Sequence, residues 1–370
     1  MRPLPRLARA AVPAVVLALA VGLGACGDGD ESSAEGEGSG TGGSSADLGA
    51  IKGYLLEHTT RLKADTVQIR EGAESYYRLG KAAGFDYGRL LHENRADLRA
   101  FVKDAQAAFR RANPSYEEME GVVAGVPQLA DYDVIIDAGG DASDPENAVP
   151  FDIETPDGRT FERPGNFNYL IETAAFGTEP TFQAKGVKPD LDGDGKVEFG
   201  ESIPDAGFYV AAAREFERYA GELDEAAREW EPTPSDALTA LVVMTPTMSE
   251  YFEAWKNSRF IAGKRASEKA FVAASRLQDI ADILGGLTTV YGNVRPLVAE
   301  ADGQQARQTG DSLGRLYSFA AGLRDREARG REYTAEEAEV LGARAQEQAE
   351  AIAGQITQAA AQLNIEIEEG

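Results

Sequence analysis

The sequence predicts an all-α protein in which two helical bundles pack together around a central irregular insertion. Three observations support this fold class. Apolar residues recur at steps of three, four and seven over long segments, and 43% of the 370 residues are hydrophobic, enough for a large core. Gly, Asp and Pro without a helical period are concentrated in the middle of the chain. A chain of 370 residues is typical of two domains or of one large domain.

The first helical pattern begins near Asp47, and its apolar stripe comprises Leu48, Ile51, Leu55, Leu62 and Ile69. Two polar residues, His58 and Asp65, lie on the same stripe. They form either a His–carboxylate site or separate hydrogen-bonded groups of the bundle. The last helix opens at Thr334 with Glu337 three residues later, the spacing of a capping box. We therefore expect an N-terminal bundle over 47–138, an insertion over 139–204 and a C-terminal bundle over 205–370.

The insertion contains an alternating segment and lacks a helical period. Residues 151–161 alternate around Thr155-Pro156-Asp157-Gly158, a sequence that favours a tight turn. We expect a small β-hairpin there. The insertion interrupts the series of helices, so it is also where we expect a site.

Residues 190–201 match the twelve-residue calcium loop of an EF-hand at each diagnostic position. Gly195 permits the sharp turn at position 6, and Val197 at position 8 is expected to pack inward. No second loop accompanies this one, so we expect a structural calcium ion; an acidic surface loop is the alternative. The predicted ligands are Asp190, Asp192, Asp194, Lys196 through its carbonyl oxygen, Glu198 and Glu201.

The N-terminus has the pattern of an export signal. Three arginines precede an apolar run that is too short to span a bilayer comfortably. The run ends in Leu23-Gly24-Ala25-Cys26, which resembles the lipobox of bacterial lipoproteins, and Cys26 is the only cysteine. The resemblance implies a signal peptide over 1–25 and an acylated Cys26 that anchors the protein in the lipid bilayer. A secreted protein with a chance cysteine is the alternative.

A disordered tether rich in Gly, Ser and acidic residues is expected over 26–46. The anchored protein would then lie on the outer face of the bacterial cytoplasmic membrane, or on the outer membrane where one exists.

Composition excludes several classes of function. The chain has 62 acidic and 37 basic residues and a net charge of −25, which argues against a nucleic-acid partner because basic groups must neutralise phosphate. One Cys and two His exclude a disulfide framework, a thiolate-rich zinc site and a multi-histidine catalytic metal. A bound metal must therefore have oxygen ligands. The G-x-S-x-G pattern at 310–314 lacks a preceding strand and a later His, so we interpret it as the start of a helix near Asp311.

Four stretches of the sequence follow one another: Ser115 to Glu120, Asp133 to Asp137, Asn166 to Glu172 and Tyr251 to Phe260. Their order resembles the imelysin family. The resemblance covers roughly residues 48–365 and implies an all-α fold of two packed bundles. The family includes surface lipoproteins of bacterial iron uptake and proteins once described as peptidases. We therefore expect an accessory protein for iron binding or uptake, with an iron permease or another surface protein as partner.

The family signature is G-x-H-x-x-E, and this chain departs from it. Glu172 occupies the position of the Glu, but Tyr169 stands in place of the His and Phe167 in place of the Gly. A carboxylate and a phenol can bind ferric iron through hard oxygen ligands, with Glu120 and Asp137 as further ligands if the fold brings them close. The missing His weighs against an enzyme. An exported metallopeptidase-like hydrolase and a purely structural or interaction lipoprotein are the alternatives.

Overall fold

A computed structural model of the chain describes residues 46–368, and the prediction of an all-α fold is confirmed. Over these residues it contains eleven α-helices and one small antiparallel sheet. The helices are α1 (Leu48–Ala82), α2 (Tyr87–Val123), α3 (Ala130–Asp133), α4 (Phe167–Phe176), α5 (Ala206–Glu229), α6 (Pro234–Met244), α7 (Met248–Asn257), α8 (Arg259–Ala262), α9 (Arg276–Ala301), α10 (Gly303–Ala328) and α11 (Ala335–Gln362). The strands are β1 (Ile153–Glu154) and β2 (Thr160–Phe161).

Short helical turns of other types complete the structure: a π-helical turn at Val134–Ala138 continues α3, and 3₁₀ turns lie at Pro180–Phe182, Thr245–Thr247 and Gly263–Arg265. The predicted signal peptide, Cys26 and the tether up to residue 45 lie outside the described residues. Within 46–368, no helix is both long and apolar enough to cross a membrane.

Side-chain caps fix where the long helices begin. Asp47 Oδ1 accepts a hydrogen bond of 2.9 Å from the Ala50 N–H at the start of α1. At the start of α11, Thr334 and Glu337 make both bonds of the predicted capping box. Each cap satisfies backbone donors that have no partner within the helix, so these starts follow from local sequence alone.

The long helices pack around one large apolar core, and a second, smaller apolar cluster joins the end of α1, the start of α2 and Leu191. Helix α1 lies against α2 and α5, α9 lies against α10 and α2, and α11 packs on α7. Helix α5 belongs to the segment expected to form the C-terminal bundle, yet it packs along α1. The contact between α2 and α9 joins the two halves of the described chain.

The contact between α2 and α9 depends on a small residue in α9. A Cβ atom on Gly286 would lie 2.3 Å from the backbone oxygen of Glu118 in α2. A Cβ on Gly292, in the same helix, would meet nothing within 4 Å.

We expect Gly286→Ala to destabilise the protein by about 1–3 kcal/mol, because the two helices must move apart to admit the methyl group. Gly292→Ala is the matched control and should stabilise by up to ~1 kcal/mol through helix propensity. Urea unfolding of both variants provides the measurement. Equal stabilities for the two variants would show that the close contact carries no energetic weight.

The insertion holds the predicted hairpin and one element that the sequence analysis did not find. Strands β1 and β2 pair with Ile153 opposite Phe161, across the predicted turn. Helix α4 also lies in the insertion, which is therefore less irregular than expected. Nearly all of its residues are buried, so it has no polar face and no amphipathic stripe to detect. Asn166 caps it by accepting a hydrogen bond of 2.8 Å from the Tyr169 N–H.

Candidate metal centre

Five acidic side chains meet where the C-terminal part of α2, the π-helical turn and the start of α9 converge. We call them the acid cluster: Glu117, Glu120, Asp133, Asp137 and Asp279. Glu117, Glu120 and Asp279 are 0%, 3% and 2% exposed. One carboxylate oxygen from each of Glu117, Glu120 and Asp137 lies within 4.8 Å of the other two. Three oxygens at such a separation can hold one cation between them.

Local structure explains how these acids come to point inward. Glu117 and Glu120 are three residues apart in α2, so they share one helix face. Asp137 lies in the π-helical turn, a wider turn that is often found at functional sites. Asn168 of α4 donates a hydrogen bond of 3.0 Å to Asp137 Oδ1, which orients that carboxylate.

Arg276 is the basic side chain of the cluster. Its Nη1 lies 3.3 Å from Glu117 Oε2 and 3.2 Å from Asp279 Oδ2. Its Nη2 lies 3.9 Å from Asp137 Oδ2. One guanidinium carries a single positive charge, so it cannot balance five ionised carboxylates. The remaining acids need protons or another cation.

Two carboxylate oxygens in the cluster accept no hydrogen bond from an N–H or O–H donor of the described residues, although the Glu117 and Glu120 carboxyls are close enough to share a proton. These are Glu117 Oε1 and Glu120 Oε2. The other oxygen of Glu120 accepts a hydrogen bond of 2.7 Å from the Tyr251 hydroxyl. Because buried polar atoms almost always have a partner, the two free oxygens point to a missing proton or a missing cation.

Burial shifts the acidities of the cluster. It raises the pKa of Glu120 to about 6, and the nearby charge of Asp137 acts in the same direction. It raises the pKa of Asp279 to about 8, although Arg276 opposes the shift. The pKa values of Glu117 and Asp133 also lie well above their ordinary values because both are desolvated. Without a metal, the cluster therefore retains protons near neutral pH.

The structure places the four predicted iron ligands in two groups. Glu120 and Asp137 lie in the acid cluster. Tyr169 donates its hydroxyl to Glu179 Oε2 at 3.1 Å. Glu172 accepts hydrogen bonds from three consecutive backbone N–H groups in the loop before α9, at residues 271–273.

A cavity of about 360 Å³ adjoins the acid cluster. Its lining includes Asp137, Tyr169 and Glu172, so three of the four predicted residues border the same space even though they do not share one ligand set. Asn168 and Phe271 also line it. Asp137 is the residue of the acid cluster that lines this cavity.

Sequence reasoning missed Glu117, Arg276 and Asp279 as site residues. Arg276 precedes Ile280 by four residues, so it lies near the apolar stripe of α9, and Asp279 is one turn from Arg276. Charged residues on the core-facing side of a helix are unusual unless they are paired. That position is the signal from which these residues could have been found.

His58 and Asp65 lie on the predicted buried face of α1 but do not form a joint site. His58 Nδ1 is 3.0 Å from Glu118 Oε2. Asp65 instead accepts a hydrogen bond of 3.3 Å from the Ser115 hydroxyl. Ser312 of the G-x-S-x-G pattern is helical, as expected, but the expected helix start near Asp311 was wrong, because α10 begins at Gly303.

The family comparison covers the second half of the chain. Residues 188–365 match the family model of imelysin. The chain carries an imelysin domain. The match confirms the family that the sequence resemblance indicated, and it includes Arg276 and Asp279. The imelysin match begins next to the predicted calcium loop and leaves out α2 and α4. No curated protein matches the chain.

The predicted calcium loop closes on itself through its own carboxylates. Carboxylate oxygens of Asp190, Asp192 and Asp194 lie within 4.8 Å of one another. Glu201 bonds back across the loop, accepting from the N–H groups of Leu191 and Glu198, both at 2.8 Å.

The expectation that Val197 packs inward was wrong, since this side chain is 49% exposed. In the described part of the chain no second loop lies beside Val197 to cover it, and Leu191 is the loop residue that enters the core.

Proposed function

We propose that this protein is an exported, lipid-anchored imelysin-family protein that binds a hard metal ion at the acid cluster, with iron as its cargo. One observation carries the proposal: Glu117 Oε1 and Glu120 Oε2 are buried and accept from no N–H or O–H donor of the described residues, and the two residues form a three-carboxylate group with Asp137. A bound cation would satisfy both oxygens and offset the excess negative charge.

The donor set limits the kind of metal. The three proposed ligands, Glu117, Glu120 and Asp137, offer only carboxylate oxygen atoms. Hard cations prefer oxygen ligands, whereas zinc and copper prefer nitrogen and sulfur. Tyr251 would keep Glu120 oriented through its hydrogen bond of 2.7 Å. Among hard metals, iron is favoured by the association of the imelysin family with bacterial iron uptake. Anchoring through Cys26 would hold such a protein beside a membrane permease, its proposed partner.

The test is a calorimetric titration of the protein with ferrous and ferric iron. We expect Glu120→Gln to weaken iron binding by at least about ten-fold, since it removes one charged ligand. Glu93→Gln is the matched control, because Glu93 is an exposed acid of the same helix. Equal iron affinity in both variants, or no iron binding by the unaltered protein, would contradict the proposal.

We also propose that the loop at 190–201 binds one structural calcium ion. The clustered carboxylates of Asp190, Asp192 and Asp194 support this assignment, and single loops in exported proteins bind calcium with a dissociation constant of about 10⁻⁴–10⁻³ M. We expect Asp190→Ala and Glu201→Ala each to abolish calcium binding, and Glu146→Gln to leave it unchanged. Calorimetry with calcium measures all three. Absence of calcium binding at millimolar calcium would contradict the assignment. Iron binding should be unchanged in the two loop variants.

A further inference from the structure

Arg276 is held rigidly inside the acid cluster. Its side chain is 5% exposed, and its guanidinium lies between two aromatic rings, 4.5 Å from the centre of Tyr251 and 4.2 Å from that of Phe271. A guanidinium keeps its charge at every accessible pH. The positive charge is therefore both fixed in place and permanent.

Glu117 connects this fixed charge to the proposed metal ligands. Its Oε2 lies 3.3 Å from Arg276 Nη1, and its Oε1 accepts from no N–H or O–H donor of the described residues. The same residue is one of the three carboxylates that lie close enough to share an ion. A metal bound by Glu117 would thus lie one carboxylate away from the guanidinium. In a site with little water, like charges at such a separation repel strongly.

We propose that Arg276 is a specificity-determining residue of the metal centre, a built-in counter-ion whose charge weakens the binding of every further cation. This inference rests on the proposed function. The guanidinium neutralises part of the cluster when no metal is bound, so the empty protein stays folded. It also repels the bound ion, so the ion is held loosely enough to be passed on. The repulsion grows with the charge of the ion, and trivalent ions are penalised more than divalent ones.

Two substitutions separate charge from packing. Arg276→Gln removes the charge, and Arg276→Lys keeps it. Titrations with Mn²⁺ and with ferric citrate at pH 7 are compared across the unaltered protein and both variants. We expect Arg276→Gln to bind Mn²⁺ at least about ten-fold more tightly and ferric iron with a larger gain still. Arg276→Lys should remain within a few-fold of the unaltered protein.

Thermal melts show whether the metal replaces the guanidinium as counter-ion. Without metal, Arg276→Gln should have a lower melting temperature than the unaltered protein. On saturation with Mn²⁺, the melting temperature of the variant should rise more than that of the unaltered protein. Equal or weaker binding by Arg276→Gln overturns the inference while the proposed function stands. A variant that stays unfolded with metal also overturns it, because the ion then cannot take the place of the guanidinium. If the unaltered protein and both variants bind no metal, the proposed function itself fails.

Discussion

Glu172→Gln is expected to lower the free energy of unfolding by about 2 kcal/mol or more, one of the two largest effects that we predict. Glu172 is buried, and its Oε2 accepts from the Phe271 N–H at 2.7 Å. Its Oε1 accepts from Val272 and Ala273 at 2.9 and 2.8 Å. An amide retains one acceptor oxygen and turns an N–H donor toward another donor. Glu172→Ala removes all three bonds and should cost more.

Backbone conformation adds to the cost at this position. Phe271 has a φ of 53°, in the left-handed region that a bulky residue seldom adopts. The three N–H groups that follow one another here form a concave anion site, and the carboxylate of Glu172 fills it. Replacing Glu172 removes these three anchors of the strained loop, which keeps only the pairing of Lys269 with Glu179, the bond from Arg110 to the Ala273 carbonyl and similar contacts.

Chemical denaturation with urea measures the effect of Glu172→Gln, and Glu162→Gln is the matched control. Glu162 is an exposed acid of the same insertion, so its amide variant should match the unaltered protein. A change below about 0.5 kcal/mol for Glu172→Gln, the size of an ordinary surface effect, would show that the loop is held by other contacts. The same loop holds Phe271 against Arg276 of the acid cluster. A Glu172 variant can therefore lose iron binding through the displaced loop, so its stability and its iron affinity are measured together.

The second large effect is a fall in the stability of the metal-free protein as pH rises from 5 to 8.5. Burial raises the pKa of Glu120 to about 6, of Glu172 to about 7 and of Asp279 to about 8. Each pKa is higher in the folded than in the unfolded chain, so the folded state binds more protons over this range. The stability that these protons contribute is complete below the unfolded values near 4 and is lost as pH rises through about 6 to 8.

Melting temperatures recorded in the presence of a chelator test this expectation. The melting temperature should fall steadily across the range, and Asp279→Asn should show a shallower fall because one titrating carboxyl is gone. Asn113 Nδ2 lies 2.9 Å from Asp279 Oδ1, so an amide at 279 keeps an acceptor for it. A flat or rising melting temperature between pH 5 and 8.5 would contradict the assigned acidities. If a metal occupies the cluster, saturating it should restore stability most at the alkaline end.

Features that depend on neighbouring residues could be predicted from the sequence. The stripe of α1, the capping box at Thr334 and the hairpin turn at residues 155–158 are all present, because each is set by groups within one or two turns of one another. Helix α4 escaped prediction because burial on all sides leaves no period. The exposure of Val197 escaped because it depends on which surfaces lie next to the loop.

The metal centre was predictable only in part, for the same reason. Glu120 and Asp137 belong to stretches that the family resemblance had singled out, and the structure brings them together. Glu172 was also singled out, but no spacing rule reveals that its carboxylate serves a loop a hundred residues later. The ion pair between Glu117 and Arg276 joins residues 159 positions apart, and a single sequence contains no sign of that pairing.

The distance along the chain between Glu117 and Arg276 has a consequence for the order of folding. Contacts between residues so far apart close a long loop, and such contacts form late because their entropic cost must first be met. Glu117 and Glu120 can enter α2 early, while their carboxylates are still hydrated. They lose water only when α9 docks and brings Arg276 to them. A chain that ends before residue 276 would therefore have the acids of α2 without their guanidinium.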